Sequence, residues 1–499
     1  MRNPETNAPL HHEGNQSMPS TSHIIHQIVK IAAPMYPQVL LGLCSNLWGG
    51  ILVSRYHETV ELDAYGMGVV LTQQTGFSFI WGASNALLTL SSQAYGAKQY
   101  HQVGLALQRS LCVIFLLVDI PLICLFLNAE PLLVACGQSE DMANIVRVFA
   151  LIRVPGVIFS TISSTIAKTF VAIQKAQYIC AVDVSCMLTN VSLSFLFIPH
   201  YGAVGAAVAS VTSDCVAALV VCGLAVYDKE FRKCWPGFRK FQREAWRKWG
   251  SFIALALPSM FLLGFEIWVW DAQTFISGYI SPVAQATQSI VPQFTCLMYA
   301  AGQAMSNGGS TVIGNYLGDG FGVAARRTAV LSMCLTFVFM IFQLLLFWAL
   351  HGAIPHIFTN DAQLLQSISS LLPFCICFSF LDGHQSALTG ILIGVGWQKV
   401  ATPLVFISYW VIAVPLGLLL GFGKLGGHPM LLEGLWCGML VGVICHVASF
   451  SVAAVCINWK KEALVARERA LAEGSCNMNE DVGMNTSVAG TSLVEALSS

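Results

Sequence analysis

Apolar runs of about 20 residues recur along the whole chain, parted by short polar joints. A run of that length matches the hydrocarbon thickness of a bilayer, where only helices and closed barrels can satisfy their own backbone polar groups. The residue-by-residue alternation of a membrane barrel is missing from these runs. Charged residues make up 10% of the 499 and apolar ones 55%, whereas soluble domains carry about 25% charged residues. The chain therefore reads as an all-α polytopic membrane protein.

Twelve spans are expected, over 31–54, 66–90, 110–129, 143–166, 178–198, 203–226, 251–279, 283–311, 329–350, 364–391, 403–422 and 434–457. An even number places both termini on one side. Of the 25 Lys and Arg residues, only Arg55 and Lys424 fall in connections opposite the tails, and Arg147 and Arg153 fall inside the fourth run. Positive charge is retained on the cytoplasmic side, so both ends are expected there. Residues 1–30 and 458–499 read as cytoplasmic tails, disordered over 1–22 and 475–499 and helical over 459–474. The first 30 residues lack the apolar core of a cleaved signal peptide. Sequons at Asn15 and Asn485 lie in the tails and are expected to be unmodified.

Several chemistries are excluded. The 17 cysteines form no CxxC pair and no zinc-type His/Cys spacing, so neither a metal nor a cofactor is expected. No GxxxxGK[ST] phosphate loop appears, so ATP is not expected as the energy source.

The connection at 227–250 carries eight basic residues among aromatics. It reads either as a helix lying on anionic lipid or as a topological anchor joining two halves. A nucleic-acid partner is not expected of a loop pinned to a membrane. On either side of it the sequence repeats. Pro34 returns as Pro258, Gly96 as Gly318, Gln174-Lys175 as Gln398-Lys399 and Gly205 as Gly434, at nearly one offset. An N-lobe over 31–226 and a C-lobe over 251–457 are expected, related by a pseudo-two-fold axis along the membrane normal with a cavity between them.

Within Pro258–Gly278 stand two acids, Glu266 and Asp271. An ionisable group at membrane depth costs roughly 2.5 kcal/mol or more, so it marks function. Glu266 shares a helix face with Trp270 and Gln273 at i+4 and i+7, offering a carboxylate, an aromatic surface for a cation and an amide. Asp271 lies about 140° around the same helix. Asp382 heads a second polar stripe with Ser386 and Thr389. Competition between a proton and an organic cation for one such carboxylate is enough to couple their movements. Asp183 and Asn190 share a face of the fifth span, and Gln38, Asn46 and Trp48 belong to the first; each reads as cavity lining or as packing. Asp119 precedes Pro121 and reads as a partner for backbone freed by the proline. His384 points away from Asp382 and reads as a packed, hydrogen-bonded residue.

GASNALLTLSSQAYGAKQYHQVGLALQRS at 82–110, PSMFLLGFEIWVWD at 258–271, and QSIVPQ, STVIGNYLGDG, GILIGVGWQKVATP, VPLG and GLWCG after them fall in one order. Over about residues 30–457 this set resembles the multidrug and toxic compound extrusion (MATE) family, in its eukaryotic branch. The resemblance implies twelve helices in two six-helix lobes and antiport of small organic cations against protons, or against sodium in some relatives. It implies no enzyme, no partner beyond substrate, proton and membrane lipid, and a monomer in a plasma, vacuolar or vesicular membrane. Asp382 stands where animal relatives have a tenth-helix glutamate, and Gln293 where they have an eighth-helix one. Leu88 replaces an acid, Ile393 an arginine and Ala401 a glycine, and the bacterial first-helix aspartate has no counterpart. Other readings are a flippase for amphipathic or lipid-linked substrates, which wants a more basic cavity, a non-transporting receptor, and an enzyme built around His384, which lacks visible partner groups.

Overall fold

The structure, a computed structural model, describes residues 18–235, 237, 242–358, 361–423 and 429–471, without the side chains of 43–47, 59, 357 and 358. The expectations at Asn15, Asn485 and Lys424, and the side chain of Asn46, fall outside the described residues.

Twelve long helices follow one another. α1 is Thr21–Tyr56, and α2 spans 59–96 as Thr59–Val69, a π-helical stretch Val70–Phe77 and Ser78–Gly96. α3 is Tyr100–Leu127, with a π turn at Phe115–Asp119 ahead of Pro121. α4 is Glu140–Ala172, and α5 and α6 share Gln177–Tyr227, broken at Gly202 (φ 54°, ψ −132°). α7 is Trp249–Gly278, α8 Pro282–Gly318, α9 Gly322–Leu350 and α10 Ala362–Val395. α11 is Gln398–Gly421, α12 Leu431–Val455, and a further helix, α13, covers 459–471. The chain is an all-α multi-pass membrane protein of twelve transmembrane helices in two pseudo-symmetric lobes, α1–α6 and α7–α12.

Local chemistry starts several of these helices. The hydroxyls of Ser20, Ser139 and Ser281 and the carboxylate of Asp361 accept from the first free backbone N–H groups of α1, α4, α8 and α10. The cap at Ser20 lets α1 begin ten residues before its apolar run. Ile24 and Ile28 are fully buried, so residues 21–30, expected as tail, are the first turns of α1. Lys168, counted with the connections, sits inside α4 and is half-buried. Apolarity marks only the lipid-crossing part of a helix; a capped helix runs on beyond it.

Among the described residues, eight helical stretches are apolar enough to cross a membrane by length and composition, one of them the divided Gln177–Tyr227 pair. α1, α2 and α8 are more polar. These three form the seam between the lobes, α1 against α8 and α2 against both α7 and α8. A helix facing other helices rather than lipid can carry polar side chains that find partners there.

At the seam two glycines meet reciprocally. A side chain on Gly96 would strike the Asn315 carbonyl, and one on Gly318 would strike the Gln93 carbonyl. Gly318 is the repeat counterpart of Gly96 and Asn315 that of Gln93, so each pair maps onto the other, as a pseudo-two-fold axis between α2 and α8 requires. Only the absence of Cβ allows so close a backbone approach. Around it, at the end of the molecule that holds the 227–250 connection and α13, hydrogen bonds cross between lobes. Tyr316 Oη donates to Gln27 Oε1 at 2.9 Å, Lys168 Nζ to Asn307 Oδ1 at 3.1 Å and Gln398 Nε2 to Thr89 Oγ1 at 2.8 Å. Farther along, Trp268 Nε1 of α7 donates to the Gln74 carbonyl of α2 at 3.3 Å. At the opposite end, His57 bonds the Ile198 carbonyl and Glu61 accepts from the Ala203 amide, both within the N-lobe. The lobes are therefore closed on each other at the linker end.

Candidate cation and proton site in the C-lobe

Four helices of the C-lobe bring polar groups together. α7 supplies Glu266, α8 Tyr299 and Gln303, α10 Asp382, Gln385, Ser386 and Thr389, and α11 Tyr409. Gln385 Nε2 donates to Glu266 Oε1 at 2.7 Å and to Thr389 Oγ1 at 3.0 Å. Ser386 Oγ at 3.2 Å and Tyr299 Oη at 2.8 Å both donate to Gln303 Oε1. Asp382 stands one helical turn before Gln385 and Ser386 on α10, on the face that these two residues turn to α7 and α8. Glu266 and Asp382 are each half-buried. Among the described residues neither pairs with Lys, Arg or His. Two acids thus lie in the interior of one lobe without a fixed counter-ion. A proton or a mobile cation can supply the missing charge, and either one reduces the need for the other.

The other expected residues scatter around this pair. Asp271 is half-buried on α7. Gln273 is 3% exposed, and neither of its amide atoms has a partner among the described residues. Trp270 is half-buried and packs edge-on against Phe378 and obliquely against Trp436, at centroid distances of 5.1 and 5.7 Å. Gln293 is half-buried. His384 Nδ1 donates to the Phe380 carbonyl, 2.7 Å away, and lies among Phe337 and Phe380.

The N-lobe holds polar groups of a different kind. Arg153 Nη1 donates to Asp214 Oδ2 at 2.7 Å, with its guanidinium over the Phe77 ring at 4.8 Å. Asp119 accepts from Thr161 at 2.8 Å; its partner is a hydroxyl of α4 rather than backbone freed by Pro121. The π turn just before that proline relaxes the helix instead. Asn190 Nδ2 reaches Ser210 and Ser213 of α6 at 3.5 and 3.4 Å. Asp183 is half-buried with Oδ2 unpartnered among the described residues, and so is Gln38 with its Oε1. Trp48 meets Phe195 at 5.3 Å. In the C-lobe, sequence reasoning missed Gln385, Gln303 and Tyr299. The signal for them was an uncharged polar residue in mid-helix, several of which have purely local partners.

Two six-helix lobes meeting about a pseudo-two-fold seam, with uncompensated acids inside one lobe, define a membrane transporter rather than an enzyme. The family model described as MatE matches residues 34–196 and again 258–419, its two copies starting at the repeated prolines Pro34 and Pro258. The chain belongs to the MatE family. Multidrug and toxin extrusion protein 1 of Homo sapiens is 28% identical over 422 residues, spanning 82% of this chain and 71% of that one. Protein DETOXIFICATION 16 of Arabidopsis thaliana is 28% identical over 472 residues, spanning 92% and 94%. Among solved structures, the eukaryotic MATE transporter AtDTX14 superposes with a TM-score of 0.82 at 24% identity, over 90% of this chain and 99% of that one.

Proposed function

We propose that the protein is a proton-coupled antiporter that exports small organic cations or xenobiotics, working by alternating access of the 31–226 and 251–457 lobes. The observation that carries this reading is the Glu266–Asp382 pair, two interior acids without a fixed cation. Protons delivered from one side neutralise the pair and release a bound cation; an arriving cation on the other side displaces the proton. Gln385 holds one oxygen of Glu266 and leaves the other for the moving charge. Gln273 offers an unpartnered amide on the same helix, Ser386, Gln293 and Asp271 line the approach, and Trp270 backs the site from the core. In the N-lobe, Asp183, Asn190 and Gln38 are the corresponding lining. The positive charge gathered on the tails and the linker supports cytoplasmic termini. On that orientation the closed linker end is the inner side. The names of the relatives, multidrug and toxin extrusion and detoxification, support export of foreign compounds.

Replacing Glu266 by glutamine tests the reading. Proton-driven uptake of a fluorescent organic cation into inside-out vesicles is expected to be abolished, with the variant still folded and inserted. Uptake at the wild-type rate would sink the mechanism.

A further inference from the structure

The end of α10 poses a problem that the N-lobe solves. A helix leaves its last carbonyls without intrahelical donors. Gly396, left-handed at φ 95°, turns the chain back so that its own N–H and that of Trp397 return to Leu392 and Ile393. The oxygens of Ile393, Gly394 and Val395 still present free lone pairs across the seam. Thr89 Oγ1 donates to the Ile393 carbonyl at 2.7 Å, and Gln93 Nε2 to those of Gly394 and Val395 at 3.2 and 3.4 Å. One lobe caps a helix of the other.

A carboxamide can serve as this cap in only one of its two orientations, with the NH2 toward α10. Arg469 Nη1 donates to Gln93 Oε1 at 2.9 Å. A guanidinium has donors only, so the oxygen of Gln93 must face it and the NH2 must face the carbonyls. Arg469 belongs to α13, which continues from the C-lobe but reaches over to the N-lobe. Its first turn is held against α9, where Gly322 abuts the Trp459 carbonyl. Its last turn, through Ala466 and Ala470, shares a small pocket with Leu90 and Ala94 of α2 and Ala106 of α3. The positive side chain also lies beside the negative end of the α10 dipole.

We infer that Arg469 is a positioning residue for lobe alternation: by fixing the Gln93 carboxamide it lets the N-lobe cap α10, and so α13 straps the linker-end face shut. Opening that face requires the three carbonyls to trade Thr89 and Gln93 for water, and releasing Arg469 makes the trade easier. The consequence for transport rests on the alternating-access reading; the contact itself and its readout do not.

Hydrogen–deuterium exchange on the purified full chain tests the inference, with R469A, R469K, Q93E and R469A/Q93E beside the wild type. Q93E keeps a partner for Arg469 but loses both donors to α10. Expected is several-fold faster exchange of peptides covering 89–96 and 393–399 in R469A and in Q93E. The double variant should be no faster than the faster single one, and R469K, also a pure donor, should fall back toward wild type. Unchanged exchange at 393–399 in R469A overturns the inference. So do effects that multiply in the double variant, or an increase spread evenly over all twelve helices. Faster exchange in a protein that carries no cation would leave the strap standing and remove the antiport reading; an active transporter with unaltered exchange would do the reverse.

Discussion

Acids are easy to see in an apolar run and their partners are not. Glu266 and Asp382 stood out because each is the wrong kind of residue for its depth. Gln385 did not, since an amide in FLDGHQSALTG looks like one more polar residue of a stripe, and the carboxylate it serves lies 119 positions away. Arg153 and Asp214 show the same limit, with the charges legible in their spans and the bond between them visible only once α4 and α6 are packed. Trp270 shows a related limit: helical spacing puts it on the side of α7 that carries Glu266, while its ring contacts with Phe378 and Trp436 come from other helices. Gln385 carries a prediction. A hydrogen bond to a charged group contributes about 1.5–3 kcal/mol. Gln385→Ala should therefore lower turnover at least about tenfold in reconstituted vesicles, with the amount of inserted protein unchanged. Wild-type turnover would show that Glu266 needs no orienting donor.

For the helices, existence was legible and extent was not. Hydropathy reports the part of a helix that faces lipid. It undershot where Ser20 starts α1 early and where α8 runs on to Gly318 at the seam. The most polar spans proved to be the ones between the lobes, so weak apolarity was itself a positional signal. The connection after α6 shows what anchors an element outside the membrane. Asp228 caps the short helix Lys229–Cys234, accepting from Phe231 N at 2.8 Å, Tyr178 Oη at 3.1 Å and Lys175 Nζ at 3.3 Å. Burial works against its charge, but the Phe231 amide, Lys175 and Tyr178 outweigh it and hold the carboxyl below its ordinary value. With the folded value depressed, this contribution is complete above the ordinary carboxylate range and is lost as the pH falls through the folded value. Asp228→Ala should cost about 1 kcal/mol at neutral pH, read as a lower Tm in detergent. The gap from wild type should close as the solution is acidified below about pH 4. A gap independent of pH would assign the effect to packing rather than to the charge.

In the molecule as a whole, the repeat announced two lobes before any contact was known, because landmarks such as Pro34 and Pro258 keep their order and spacing. What the repeat did not reveal was which faces the lobes turn to each other. That depends on the glycines at the ends of α2 and α8, where the backbone comes closer than any side chain would permit. The contact is self-complementary, each half offering the other the same glycine and the same facing carbonyl. Such a joint is an isologous dimer interface with one polypeptide threaded across it. Its register is then set by the joint and not by the thread. Residues 1–237 and 242–499, produced as two separate polypeptides in one cell, should find each other in the membrane and co-purify as a working pair. Fragments that insert but never associate would show that covalent connection, rather than the glycine joint, aligns the lobes. Read this way, the protein is a dimer of unlike halves that happens to be translated as one chain.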